Sequence, residues 1–219
     1  IGSGAVLSSV GDIFISVLTK ADTDARTDIK TYGGASGADG QSIARADVKN
    51  QITVNPNARL YSEGTLNLLV GIDKFDDESN LRAVATTNID NNGIAPIYSD
   101  PDVNGILNVY NYIDIKAGAL LQSVSDTNLI MKKGTTIAVG KGVGTDWVKS
   151  IIGATIDVYE STLNLNPVIR VDGTIEVGLR SEQIVIIDEN GDIEQISEGI
   201  TINREKEILA NYILDEIRM

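Results

Sequence analysis

The chain has 219 residues, of which 42% are hydrophobic and only 5% aromatic, so it supports a sizeable core of Val, Ile, Leu and Ala and is not a disordered chain. It has no Cys and no His, which excludes disulfide staples, thiolate metal sites and a Ser-His-Asp triad. The net charge of −13 makes nucleic acid and anionic membrane surfaces poor partners, and no apolar run approaches the ~20 residues of a transmembrane segment.

Taken in chain order, Ile13, Ile15 and Val17 alternate and predict a strand. Residues 19–32 are polar, with Ala21, Ala25 and Ile29 as the inward candidates. Residues 33–41 are rich in Gly, Ala and Ser and predict a projecting loop whose deletion is tolerated. Alternation resumes at Ala44, Ala46 and Val48, then Ile52 and Val54, before a turn at Asn55-Pro56-Asn57. Ala58, Leu60 and Ser62 follow at period two. Residues 72–80 and 90–105 predict two further loops, the second holding Pro96 and Pro101. Gly-Thr pairs at 64, 134 and 173 each open a short apolar alternation, as corners followed by strands. Residues 204–219 carry Ile208, Leu209, Tyr212, Ile213 and Ile217 on one helical face, with Asn203 as N-cap.

The chain also repeats itself. Asn50, Ile52, Ala58, Leu60, Ser62, Asn67 and Leu68 recur 61 residues later as Asn111, Ile113, Ala119, Leu121, Ser123, Asn128 and Leu129, without a gap. A long-period repeat made of short strands indicates a solenoid. A β-sandwich also alternates but leaves the retained small residues unexplained. The expected fold is therefore all-β: a right-handed single-stranded parallel β-helix with projecting loops, spanning 1–202. Residues 203–219 are expected to form an amphipathic helix capping or interrupting the coils. Corners recurring at about 20-residue intervals make the repeat about three coils. Some nine or ten coils then form a rod ~45 Å long, with Asn50 and Asn111 at corners too far apart to touch.

The pattern Ile52-x-Val54-x-x-x-Ala58-x-Leu60-x-Ser62-x-Gly64-x-Leu66-x-Leu68, with its weaker copy from Ile113, resembles the coil repeat of filamentous-haemagglutinin-type proteins. These are very large bacterial exoproteins exported by two-partner secretion. Gly11-Asp-Ile-Phe-Ile-Ser and Asn57-Ala-Arg-Leu-Tyr-Ser-Glu-Gly-Thr-Leu-Asn-Leu are similar to the fusobacterial leukotoxin branch of that family. The resemblance covers roughly residues 5–200. It implies a secreted or cell-surface virulence protein, a host-cell receptor or glycan as partner, and an outer-membrane secretion partner for the parent protein. It further implies host-cell attachment or leukocyte toxicity, with no catalytic motif to carry over. The chain is expected to be an internal fragment.

Few residues point to chemistry, and no catalytic, cofactor-binding or metal residue is assigned. Asp73, Asp76, Asp77 and Glu78 are hard oxygen ligands suited to Ca²⁺, but their spacing is not that of an EF-hand and reads better as a solvated acidic loop. Asp22, Asp24 and Asp28 read as a solvated strand face. A β-helix carbohydrate-active enzyme, of polysaccharide lyase or hydrolase type, is the alternative function; its candidate residues are Arg59, Lys116 and Asp114. Gly140-Lys-Gly-Val-Gly144 lacks the order of a phosphate loop and predicts a turn between coils. Trp147 and Tyr159 are candidate contact residues, with packing the plainer role for a lone Trp.

Overall fold

The structure, a computed structural model, describes residues 1–34, 37–94, 98–148, 152–178, 185–187 and 193–195. Those residues are all-β, with no helix among them. The expected helix at 203–219 lies outside the described residues.

Four sheets are stacked by strands that return in order. The first contains β1 (Val6–Ser9), β5 (Arg59–Ser62), β9 (Leu120–Ser123) and β14 (Thr174–Val177). The second contains β2 (Ile13–Val17), β6 (Leu66–Val70) and β10 (Thr127–Met131). The third is built from β3 (Lys20–Gly33), β7 (Asn80–Gly93), β11 (Thr135–Val148) and β12 (Ile152–Tyr159). The fourth is built from β4 (Gly37–Val54), β8 (Tyr98–Ile115) and β13 (Ser161–Val171). A short antiparallel pair, β15 (Val185–Ile187) and β16 (Ile193–Gln195), stands apart from the four. Pairing within the four sheets is parallel throughout, except that β12 runs antiparallel to β11.

The register corrects the expected coil length. Val6 lies beside Arg59, Arg59 beside Leu120 and Leu120 beside Thr174. Lys20 lies beside Asn80, and Gly37 beside Tyr98. The paired strands lie 53 to 61 residues apart in the chain, so positions one repeat apart are immediate neighbours and not three coils apart. Among the described residues the strands visit the four sheets in order three times before β14 returns to the first, which does not match nine or ten coils. The reason is strand length: β3 and β4 are 14 and 18 residues long and consume more than half of a circuit. The three Gly-Thr pairs precede or open β6, β11 and β14, which belong to different sheets, so they are not copies of one corner.

The length of these strands also absorbs two expected loops. Residues 37–41 are the beginning of β4, with Ala38 and Gly40 buried, and β7 and β8 cover most of 90–105. Pro101 is tolerated inside β8 because parallel pairing asks for a donor only at alternate residues on each edge. Residues 72–79 do form a turn, closed by an isolated bridge between Ile72 and Glu78.

Two apolar columns follow from alternation. The first is walled by β1/β5/β9/β14, by β2/β6/β10 and by the ends of β4, β8 and β13. It contains Ile52, Val54, Leu60, Leu66, Leu68, Ile113, Leu121 and Leu129, all almost fully buried. In-register pairing places Leu60 beside Leu121, Leu68 beside Leu129 and Ile52 beside Ile113. Ser62 and Ser123 stay small and polar because each closes a corner. Ser62 Oγ donates to the Gly11 carbonyl at 2.8 Å, and Ser123 Oγ pairs with Thr127 Oγ1 at 2.9 Å. The second column lies between the two long-strand sheets and holds Ala44, Ala46, Val48, Leu81, Ala83, Ala85, Leu107 and Val109. Ala21 and Ala25 pack against it, as alternation predicts.

A polar ladder separates the columns. Thr19 Oγ1 donates to Asn50 Oδ1 at 2.6 Å, Asn50 Nδ2 to Asn111 Oδ1 at 3.0 Å, and Asn111 Nδ2 to the Lys132 carbonyl at 3.0 Å. The two Asn therefore touch, and they lie within strands and not at corners. Apart from five glycines, the described residues that adopt left-handed geometry are Asn57 and Asp76. The expectation of distant corner Asn fails for the same reason as the coil count: positions one repeat apart are axial neighbours.

Candidate functional surface

With the interior filled by side chains, the solvent-facing rows of the long sheets are the surfaces available for contact. On β4, β8 and β13, register aligns Asp47, Asn108 and Asn164 in one row. Asn108 Nδ2 donates to Asp47 Oδ1 at 2.5 Å, and Asn164 Nδ2 to Asn108 Oδ1 at 2.7 Å. Arg45 also grips Asp47 through Nε at 2.8 Å and Nη2 at 3.2 Å. The bonds from Arg45, then from Asn108, hold the Asp47 carboxyl below the ordinary aspartate value. The next row is Lys49, Tyr110 and Asn166, and the next Gln51, Tyr112 and Val168. Tyr110 is 36% exposed, and the Lys49 ammonium sits 5.7 Å from the centre of the Tyr112 ring.

The opposite face, on β3, β7 and β11, carries Asp22, Asp24 and Asp28 on its exposed side, as predicted for a solvated row. Arg82 Nη1 lies 2.7 Å from Asp22 and 3.5 Å from Asp24. Arg26 pairs with Asp28 at 2.7 Å, and Asn88 donates to the same carboxylate. These bonds, the one from Arg26 first, lower the Asp28 pKa. Exposed pairs of this kind are screened by water and salt and add little to stability.

The acidic loop is organised by its own backbone. Asp73 Oδ1 accepts from the Phe75 and Asp77 amides, at 2.8 and 3.1 Å. Lys20 approaches Asp77 at 3.9 Å and Lys132 pairs with Glu78 at 2.8 Å. Among the described residues no three acidic groups are placed to hold a metal ion.

Of the three residues weighed for an enzyme, Asp114 and Lys116 form an ion pair of 2.5 Å at the end of β8. Arg59 lies on β5 in another sheet, and no hydrogen bond or ion pair joins it to them. Gly140–Gly144 is not a turn but the middle of β11. Gly140, Gly142 and Gly144 face inward, where the two long sheets come close. A Cβ on Gly140 would lie 2.1 Å from the Glu160 carbonyl oxygen, and one on Gly105 of β8 would lie 2.3 Å from that of Val139. Only glycine fits this crossing, where the chain passes from β12 to β13. Trp147 lies across from Gly153 on β12, and its ring fills the space a side chain would take there. Tyr159 is 68% exposed.

Sequence reasoning missed the Asp47–Asn108–Asn164 row, the two tyrosines beside it and a buried carboxylate, Asp146. Asp146 accepts from Ser99 Oγ at 2.5 Å and from the Ser99 amide at 3.2 Å. The 61-residue offset already linked Asp47 to Asn108 and Lys49 to Tyr110, but only a one-circuit repeat makes them neighbours. No described helix is long and apolar enough to cross a membrane. No family model, curated protein or solved structure matches this chain.

Proposed function

We propose that this chain is a segment of a right-handed parallel β-helix and serves as a non-catalytic adhesive module of a large secreted bacterial exoprotein of filamentous-haemagglutinin type. The observation that carries the reading is the in-register return of like residues: Leu60 on Leu121, Ile52 on Ile113, Asn50 on Asn111. Such a stack is a rigid scaffold whose outward residues form straight rows along the axis, a geometry suited to extended contact.

The winding is tested by disulfide trapping, since the chain has no Cys of its own. Asp24→Cys with Val84→Cys joins positions in register on β3 and β7 and should oxidise readily. Asp24→Cys with Val143→Cys, on strands two apart, should not. Readier closure of the second pair would refute the winding. The adhesive role is tested by binding of the purified chain to host cells. Attachment without cell death supports it, death of leukocytes would move the reading to a cytotoxin module, and absence of attachment would overturn it.

A further inference from the structure

We propose that residues 203–219 pack their apolar side against the outer face of β11, so that the chain's own tail is a strap laid over the third sheet. The proposal does not depend on the adhesive role.

The face of β11 is inverted for a solvated strand. Its small residues, Ala138, Gly140, Gly142 and Gly144, point inward, and its large apolar residues point outward. Ile137 is 39% exposed, Val139 40% and Trp147 39%, with Val143 half-buried on the same side. Val84 of β7 lies beside Val139 in register and widens the patch. Two strands away, the outward positions of β3 are Lys20, Asp22, Asp24, Arg26, Asp28 and Lys30. One sheet thus turns from charged to aliphatic across its width. Parallel sheets are normally covered on both faces, and β3, β7 and β11 pair parallel. The charges bordering the patch, Asp24, Arg82, Lys141 and Asp157, are of both signs. Charge therefore does not choose the occupant; aliphatic area does.

Connectivity chooses the tail. Strand β14 ends at Val177, which pairs with Ser123 of β9. One turn earlier the chain needs only residues 124–134, 11 in number, to pass from Ser123 to Thr135 at the start of β11. Residues 178–202 number 25, and the β15–β16 hairpin, whose ends Val185 and Gln195 are paired, folds 11 of them back on themselves. The other 14, 178–184 and 196–202, still exceed the 11 that cover the same ground. A tether of this length holds the tail at high local concentration over β11. The apolar surfaces also match in extent. Ile208, Leu209, Tyr212, Ile213 and Ile217 share one side of a helix that is ~13 Å long from the first to the last. Ile137 to Val143 spans ~20 Å of strand. The end of the winding needs less cover, since Met131 of β10 and Ile175 of β14 are already buried.

The test uses the full chain, which has no Cys of its own. Ile137→Cys, Val139→Cys and Val143→Cys are each combined with Ile213→Cys and oxidised in dilute solution. At least one of these pairs should close within the chain, whereas Leu163→Cys with Ile213→Cys, at the end of the winding, should not. Ile137→Ser should speed amide exchange across 203–219 about tenfold or more, the scale of losing one buried aliphatic side chain. Lys30→Ser, on β3, should leave that exchange unchanged. Closure at Leu163, disulfides formed only between chains, or tail exchange indifferent to Ile137→Ser overturns the proposal. If Ile137→Ser melts early, the trapping result decides alone. Closure of the Asp24→Cys, Val84→Cys pair under the same conditions separates failure of the strap from failure of the winding.

Discussion

Replacing Asn111 with Leu isolates the buried ladder from the apolar columns around it. Asn111 is 5% exposed and Asn50 is fully buried, so neither can turn to water when its partner is lost. Leucine keeps the branched shape of asparagine with as many side-chain heavy atoms, so no cavity opens, though its larger volume adds some crowding. It strands the Asn50 amide donor, and it removes the bond that Asn111 gives the Lys132 carbonyl. Each buried group left unsatisfied costs roughly 1–3 kcal/mol. The expected loss is therefore about 1–3 kcal/mol, against a whole-domain stability of roughly 5–15 kcal/mol. Urea unfolding followed by far-UV circular dichroism reads it as a lowered midpoint. The double variant with Asn50→Leu should lose less than the sum of the two singles, because the second change removes the donor that the first left stranded. A midpoint within experimental error of the parent for Asn111→Leu, or strict additivity in the double variant, would refute the claim that the ladder holds the circuits together.

Leu60→Asp should leave little folded protein at 25 °C, since it removes a wholly buried side chain and places a carboxylate between Leu121 and the apolar wall; a cooperative melt near that of the parent would place Leu60 elsewhere. Gly105→Ala should destabilise by at least about 1–3 kcal/mol, whereas Gly11→Ala, which meets no atom within 4 Å, should be silent in the same urea titration. Arg26→Gln and Arg45→Gln should raise the carboxyl titrations of Asp28 and Asp47, followed by carbon-13 NMR. Both groups sit below the ordinary value of 3.8 in the folded chain, so their contribution is present above that value and is lost only as pH falls through the lower folded one. Deleting residues 33–41 should yield insoluble protein, because Ala38 and Gly40 are buried against neighbouring strands; a soluble, normally melting deletion would show that this part of β4 is dispensable.

Alternation was enough to read strand class, the inward residues and the turn at Asn55–Asn57, because period two survives in any sheet. It also pointed to Leu60 and Leu68 as core, and both are buried. It did not reveal circuit length. Short apolar bursts such as Ile13–Val17 look like complete strands, whereas Lys20–Gly33 hides its inward face behind Ala and Thr and gives no sign of its 14-residue length. Gly37–Gln41 was lost for a related reason: small residues usually mark loops, but here they pack where two sheets nearly touch. The contact surface was less legible still. Asp47, Asn108 and Asn164 are 61 and 56 residues apart in the chain, and only the register brings them together.

Strand β3 ends its sheet on one side, and its composition differs from that of the strand it covers. It carries six charged residues in 14, Lys20, Asp22, Asp24, Arg26, Asp28 and Lys30, where β7 carries only Arg82 and Asp90. An intruding backbone could satisfy the open amides and carbonyls along this border only by matching, residue for residue, a mixed sequence of plus and minus at every second position. Along β3 this pattern selects against an apolar intruder, whereas β1 and β2, which end their own sheets on the same side, carry no such charges.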